Sequence, residues 1–144
     1  MRTLALDPGE RRIGVAITDP TGTVCQPFET IRTRGLASPA LLERIVEIVE
    51  THEVGQIVIG LPVHMDGREG REAVAARRFA ERLAKATGLP VATLDERWTS
   101  VEAERALAES GRRSRKKRAV VDSVAATLLL RTYLERERHT QARS

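Results

Sequence analysis

The chain contains one cysteine, few aromatic residues and no long hydrophobic run. The single thiol, Cys25, excludes an internal disulfide, and no apolar stretch approaches the roughly 18 residues of a membrane span. The N-terminus enters a strand pattern directly and lacks the layout of a signal peptide. We therefore expect a cytoplasmic protein without membrane contact. One Trp, one Tyr and two Phe make base stacking a weak mode of recognition.

The remaining composition is typical of one basic domain. The 144 residues, 41% of them hydrophobic, are enough to bury one core. Lys and Arg outnumber Asp and Glu by 24 to 20, and the pI is about 10.0. A basic protein of this kind favours a polyanionic partner such as nucleic acid.

The first part of the chain predicts three antiparallel strands. Residues 3–7 and 13–19 have strand patterns and are joined by the turn 8–12, which contains Pro and Gly. A third strand is predicted over 23–32. In the second strand, bulky Ile and Val alternate with Gly, Ala and Thr. One face of the sheet is therefore expected to be bulky and the other small.

The rest of the chain alternates between helices and strands. Short apolar segments at 56–60 and 91–94 are typical of parallel strands buried on both faces. Helices are predicted from Ser38 to about Thr51, from the end of the loop 62–70 to Thr87, over 99–109 and from about 118 to 136. The order βββαβαβαα indicates one α/β domain over residues 1–137, followed by a polar tail at 138–144.

Three carboxylates interrupt or end apolar segments: Asp7, Glu96 and Asp122. Asp7 and Glu96 follow strands that helical crossovers make parallel, so both fall at the carboxyl ends of strands, where ligands of open α/β sheets collect. Asp122 lies on the last predicted helix, which is apolar nearly all round and hence buried. Buried carboxylates are usually paired or bind a metal, so the three together would form a divalent-metal site.

Each carboxylate also has an ordinary structural interpretation. Asp7 could be a local acceptor in the turn that Pro8 and Gly9 form, and Glu96 could lie in a solvated loop. Asp122 could be the buried partner of Arg118 or Arg97.

Six positive charges lie directly before the helix that carries Asp122. They are Arg112, Arg113, Arg115, Lys116, Lys117 and Arg118. No acidic residue balances this basic run, which favours a clamp for phosphates over a solvated face. Arg11 and Arg12 in the first turn, and Arg97 beside Glu96, are further candidates for contact with nucleic acid.

The sequence resembles the YqgF/RuvX family, the Holliday-junction-resolvase-like branch of the ribonuclease H superfamily. Four blocks carry the resemblance, in the family's order: residues 5–16 (ALDPGERRIGVA), Gly60-Leu61-Pro62 with Met65-Asp66-Gly67, Asp95-Glu96-Arg97, and residues 117–126 with Asp122. The resemblance covers almost the whole chain. It implies a ribonuclease H-like fold, in which a mixed five-stranded sheet is flanked by helices.

The resemblance also implies an activity. Asp7, Glu96 and Asp122 correspond to the family's metal-binding carboxylates, which suit two Mg²⁺ or Mn²⁺ ions and hydrolysis of phosphodiester bonds. The family is linked to maturation of the 5′ end of the 16S rRNA precursor and to resolution of branched DNA. The first would need only a monomer acting on structured RNA, whereas the second would need a two-fold homodimer.

Two other classes of function remain open. A non-catalytic RNA-binding factor of ribosome assembly could use the basic run alone. The segment from Asp7 to Gly9 also resembles the phosphate-binding hairpin of actin-like ATPases, although one domain leaves no room for their second lobe. Trp98 and His64 depart from the family's usual residues at their positions.

Overall fold

Five strands form a mixed sheet at the centre of the molecule, in the order β3-β2-β1-β4-β5. The computed structural model describes residues 1–97 and 115–143, and side chains at 1–97 and 123–140. The strands are β1 (Arg2–Pro8), β2 (Arg12–Thr18), β3 (Cys25–Arg32), β4 (Val54–Leu61) and β5 (Val91–Asp95). The first three strands pair antiparallel, whereas β1 with β4 and β4 with β5 pair parallel. The predicted mixed five-stranded sheet is thereby confirmed.

Local capping signals mark the start of the first helix and the end of the second. In α1 (Pro39–Thr51), the Ser38 hydroxyl accepts a hydrogen bond from the Leu41 amide at 3.4 Å, and proline occupies the first turn. Helix α2 (Arg71–Thr87) ends at Gly88, which adopts φ 71° and donates its amide hydrogen to a carbonyl of the last turn. Both helices follow the sequence prediction.

The last helix, α3 (Arg115–Arg143), is longer than predicted. It begins three residues before the predicted start at 118 and continues through most of the segment predicted as a polar tail. No Gly or Pro occurs from residue 115 onward, and Glu, Arg, Gln and Ala are good helix formers, so the helix outlasts its apolar pattern. The helix predicted over 99–109 lies outside the described residues. Within the described parts of the chain, no helix is long and apolar enough to cross a bilayer.

The two faces of the sheet differ as the alternation in β2 predicts. On the bulky face, residues such as Leu6, Ile13 and Ile59 pack with α1 and α2. The other face carries the small residues of β1 and β2, which let α3 approach closely. There Ala5, Ala16 and Val58 pack against Ala126, Leu129 and Leu130. We call this second surface the small-residue face.

A chain of hydrogen bonds fixes the direction of α3 across the small-residue face. The hydroxyl of Tyr133 donates to the Gln56 side chain at 3.5 Å, and Gln56 donates to the Thr3 hydroxyl at 2.8 Å. The amide of Thr3 donates to the Thr18 hydroxyl at 2.9 Å. Because Thr3 and Gln56 lie near the beginnings of β1 and β4, the first turns of α3 lie toward the carboxyl ends of those strands.

Candidate active site

Asp7 is held near the end of β1 on the small-residue face. It lies two residues after Ala5, so the two side chains share that face. In the sheet it pairs with Gly14, which adds no side chain above it. The following turn is closed by the amide of Gly9, which donates to the Arg12 carbonyl at 2.8 Å. The backbone of Asp7 is therefore fixed by regular strand pairing rather than by a loop.

Glu96 reaches Asp7 from the far side of β4. It follows β5 directly, and its amide donates to the Leu61 carbonyl at 3.0 Å. Since β4 separates β5 from β1, the glutamate side chain must pass over β4, and it does so at Gly60. A Cβ at position 60 would lie 2.5 Å from Glu96 Oε1 and 2.9 Å from its Cγ. Only glycine leaves room for this path.

Asp7 and Glu96 form a hydrogen-bonded pair of half-buried carboxyl groups. Burial raises the pKa of Asp7 above its usual value. Burial, the hydrogen bond to Asp7 and the negative charge of Asp7 together raise the pKa of Glu96 well above its usual range. Two carboxylates about 4 Å apart repel by roughly 4 kcal/mol at an effective dielectric of 20, and a shared proton or a cation relieves that repulsion. We call these two residues the carboxylate pair.

The residues on either side of Glu96 form an ion pair that fixes the turn. The guanidinium of Arg97 donates to one carboxylate oxygen of Asp95 at 2.6 and 2.8 Å, and the Arg97 amide donates to the other at 2.9 Å. Contact with Arg97 lowers the pKa of Asp95. Arg97 also donates to the Met65 carbonyl at 3.4 Å, which ties the loop after β4 to the end of β5. The described partners of Arg97 are thus Asp95 and Met65.

The donor set of the carboxylate pair fits a hard divalent cation. Carboxylate oxygens are the ligands that Mg²⁺ and Mn²⁺ prefer, and the space above Gly60 holds the glutamate carboxylate beside Asp7. Among the described side chains, no group of three His, Cys, Asp or Glu residues is close enough to bind a metal ion. The side chain of Asp122, the predicted third ligand, lies outside the described ones. Its backbone lies in α3, one turn before Ala126, toward the same end of the sheet.

The predicted basic contacts are only partly within the described residues. Arg11 and Arg12 lie in and after the turn that follows Asp7, so they lie at the same end of the sheet. Arg112 and Arg113 lie outside the described residues, as does Trp98. Arg115, Lys116, Lys117 and Arg118 form the beginning of α3 instead of preceding it, because that helix starts early; their side chains are not among those described.

The structural roles of two residues at the site were not predicted from the sequence. The first is Gly60, whose signal is a glycine inside an otherwise apolar strand segment, which often marks close approach of another group. The second is Asp95, which the sequence analysis treated only as part of a motif. His64, by contrast, is exposed and lies against Gly70, where a Cβ would come 2.5 Å from its Nε2.

Comparison with known proteins places this site in context. A family model described as "RuvX: Holliday junction resolvase" matches residues 1–136. A protein of Lachnospira eligens named "Putative pre-16S rRNA nuclease" is 43% identical over 136 residues, which cover 94% of this chain and 97% of the relative. A protein of Moorella thermoacetica with the same name is 45% identical over 136 residues, covering 94% and 96%.

One solved structure extends the comparison to the fold. The structure "T. thermophilus RuvC in complex with Holliday junction substrate" superposes with a TM-score of 0.58 at 16% identity, covering 95% of this chain and 96% of that one. The likeness establishes a ribonuclease H-like fold, as the sequence analysis predicted.

Proposed function

Because the chain belongs to the RuvX family, whose members hydrolyse phosphodiester bonds, we propose that it is a metal-dependent nuclease that processes the 5′ end of the 16S rRNA precursor. The observation that carries the proposal is the carboxylate pair at the end of the sheet. The names of the relatives from L. eligens and M. thermoacetica support the choice of RNA.

The chemistry of the reaction accounts for the residues. Hydrolysis requires an activated water and neutralisation of the charge on the leaving oxygen. Asp7, Glu96 and Asp122 would hold two Mg²⁺ or Mn²⁺ ions, which supply both requirements when bound. Because the pKa values of both residues are raised, the pair must release protons before both carboxylates serve as metal ligands. The pairing of β1 with β2 and the hydrogen bond from the Glu96 amide to the Leu61 carbonyl fix the backbone of both residues. The carboxylate oxygens are thereby positioned before a metal ion binds.

Recognition of the substrate would rest on its backbone and shape. Arg11, Arg12 and the basic run before Asp122 would bind phosphates, which give affinity and register without reading sequence. Arg97 would act on the turn that carries Glu96, since its guanidinium donates to Asp95. The small number of aromatic residues agrees with a substrate that is not bound mainly by stacking.

A second candidate is resolution of Holliday junctions, which the description of the family model favours. Such an enzyme cuts two strands symmetrically and therefore needs a two-fold dimer with two suitably spaced sites. The two candidates share the carboxylate pair, so they differ in substrate and in oligomeric state.

One assay separates these candidates. Wild-type protein, Asp7→Asn and the exposed control Glu81→Gln are incubated with RNA spanning the 5′ end of 16S rRNA, an unrelated single-stranded RNA and a four-way DNA junction. Each reaction is run with Mg²⁺, Mn²⁺, Ca²⁺ or chelator, and the mass in solution is measured alongside. We expect cleavage of the rRNA substrate by wild type and Glu81→Gln with Mg²⁺ or Mn²⁺, and none by Asp7→Asn or in chelator.

Each other result has a defined meaning. Cleavage by a folded Asp7→Asn variant, or in excess chelator, would overturn the metal-dependent mechanism. Symmetric cleavage of the junction by a dimer, with intact rRNA, would replace the first candidate with the second. Ca²⁺ should bind yet support little turnover, because its looser coordination misplaces water and phosphate.

A further inference from the structure

Five arginines line a groove at the end of the sheet that carries the candidate active site. The groove encloses about 800 Å³ between the β1–β2 turn, the end of β3 and the start of α1. Its arginines are Arg11, Arg12, Arg32, Arg34 and Arg44. We call this surface the arginine groove. Of these arginines, only Arg11 and Arg12 were predicted from the sequence to contact nucleic acid, because the other three come from separate elements.

Most of the positive charge in the groove is not neutralised. Arg44 forms ion pairs with Glu29 and Glu47, so its charge is balanced. Across residues 1–97 and the described part of α3, none of the other four arginines forms an ion pair. Arg12 and Arg32 are directly paired across β2 and β3, which brings two like charges together on neighbouring strands. A surface arranged in this way favours binding of an anion with several charges.

The start of α1 adds to the same field. Ser38 and the first residues of the helix line the groove, and the first turn of α1 contains no acidic residue. The partial positive charge of a helix N-terminus therefore adds to the charge of the arginines. The lining residues include no aromatic side chain that could stack on a base. The groove consequently suits phosphates better than nucleobases.

The groove lies within reach of a strand bound at the carboxylate pair. Asp7 pairs with Gly14 in β2, and Gly14 pairs with Thr30 in β3, two residues before Arg32. Two strand spacings and two residues of rise put Arg32 about 12 Å from Asp7 along the sheet. Residues of both faces meet at the groove. Ile31 and Leu41 pack with the core of α1 and α2, whereas Arg12 and Arg32 alternate with Ile13 and Ile31 along their strands and so share the face of Asp7. The turn 9–11 follows β1 and contributes Arg11 to the groove, so it connects the two sites.

We propose that the arginine groove binds the sugar–phosphate backbone of the substrate strand a few nucleotides to one side of the cleaved bond. The strand leaves the carboxylate pair, crosses the end of the sheet over the turn 9–11 and enters the groove. There the guanidinium groups of the arginines donate hydrogen bonds to the phosphate oxygens of the strand. The inference rests on the proposed function, because it assumes that the carboxylate pair acts on a nucleic acid strand.

The test uses a variant that removes two charges from the groove and a control that removes two elsewhere. The groove variant is Arg32→Gln with Arg34→Gln; both side chains are exposed and belong to no ion pair of the described residues. The control is Lys85→Gln with Arg138→Gln, exposed residues near the C-terminal ends of α2 and α3. Binding to RNA and DNA strands is measured in chelator, over a series of salt concentrations. The strands are shortened stepwise from the 5′ or the 3′ side of a fixed position.

We expect the groove variant to bind the longest strands about tenfold or more weakly than the control does. The slope of log affinity against log salt should fall in magnitude by about 1.4 to 1.8, which corresponds to two lost phosphate contacts. Shortening the strand from one side should weaken its binding to wild type when the nucleotides that reach the groove are removed. The same shortening should not weaken binding to the groove variant. Inorganic phosphate should compete only at high concentration, because it offers a single anion.

Equal affinities and slopes for the groove variant and the control would overturn the inference and identify the groove as a solvated surface. Tight binding of inorganic phosphate without dependence on strand length would overturn it in favour of a small-anion site. Since binding is measured in chelator, these outcomes do not depend on cleavage. Absence of cleavage by wild type would instead count against the proposed function while leaving the binding result interpretable.

Discussion

The carboxylate pair and the arginine groove lie at the same end of the sheet, and both crowd like charges. The carboxylate pair is half-buried and hydrogen-bonded, and its members have raised pKa values, so protons relieve part of the repulsion. The groove is lined largely by exposed guanidiniums, and water screens their repulsion while they stay charged. The half-buried pair therefore suits a cation, and the exposed groove suits an anion.

The two regions also differ in how their positions are fixed. Asp7 lies in a paired strand, and the path of Glu96 depends on a missing side chain at Gly60. The groove arginines sit on a turn, a strand end and a helix. Small displacements should consequently be costly for the carboxylate pair and tolerated by the groove.

The largest expected effect is on the cleavage rate when one of the proposed metal ligands is replaced. Glu96→Gln and Asp122→Asn should each lower the cleavage rate at saturating substrate by about a thousandfold, because under the proposed function each removes a metal ligand worth several kcal/mol of transition-state stabilisation. Glu81→Gln, an exposed residue of α2, is the matched control and should cleave like wild type. Retained cleavage by a folded Glu96→Gln variant would contradict the catalytic role that distinguishes the carboxylate pair from the groove.

A smaller effect should follow from filling the space above β4. Gly60→Ala places a methyl group against the glutamate carboxylate and should lower the rate about a hundredfold, as misplacement by about 1 Å typically does. The variant should also unfold more easily, by about 1 to 3 kcal/mol for overpacking. Adding Glu96→Asp shortens the side chain, so chemical denaturation should show that stability returns while activity does not. An active Gly60→Ala variant would contradict the close approach.

A substitution that loosens the turn after β5 should lower the cleavage rate less than Gly60→Ala does. Arg97→Gln breaks the ion pair with Asp95 and the contact with Met65, and we expect about a tenfold loss in rate, at the low end for residues that orient a ligand. Affinity in chelator should change much less than in the groove variant. If affinity fell instead and the rate held, Arg97 would be a phosphate contact, as the sequence analysis proposed.

The smallest expected effect is on stability as a function of pH. The pKa values of Asp7 and Glu96 are higher in the folded protein than in the unfolded chain. Their contribution to the free energy of unfolding is therefore fully present below the pKa values of the unfolded chain, and it is lost as pH rises through the pKa values of the folded protein. Between about pH 6 and about pH 9, the Tm of the metal-free protein should fall a few degrees more than that of the double variant Asp7→Asn, Glu96→Gln. Thermal scans with chelator would reveal this, and parallel curves would refute it. Added Mg²⁺ should reduce the difference, because deprotonated carboxylates bind it.

The sequence predicted those parts of the site that depend on local pattern. Two-residue alternation identified the two faces of the sheet, and the position of Asp7 and Glu96 after parallel strands predicted that they meet. The role of Gly60 depends on a side chain that crosses it from another strand, and single-strand patterns do not encode such a contact. Nothing in the sequence around Arg32 and Arg34 distinguishes them from other surface arginines. They become part of a groove only because the β1–β2 turn, the end of β3 and the start of α1 meet there. The length of α3 was underestimated because its apolar pattern ends before its helix-forming residues do.

The insertion of β4 between β1 and β5 has a consequence for folding. The carboxylate pair joins residues from opposite ends of the first hundred positions, and neither member has its partner until three strands are in register. Such long-range contacts form late, because closing the intervening chain costs entropy before the contact repays it. A partly folded or truncated chain would therefore carry Asp7 without Glu96, and catalytic competence should appear only with the complete sheet. Activity recovered during refolding from denaturant would in this way measure docking of β5, at the edge of the sheet, rather than formation of the hairpin that contains Asp7.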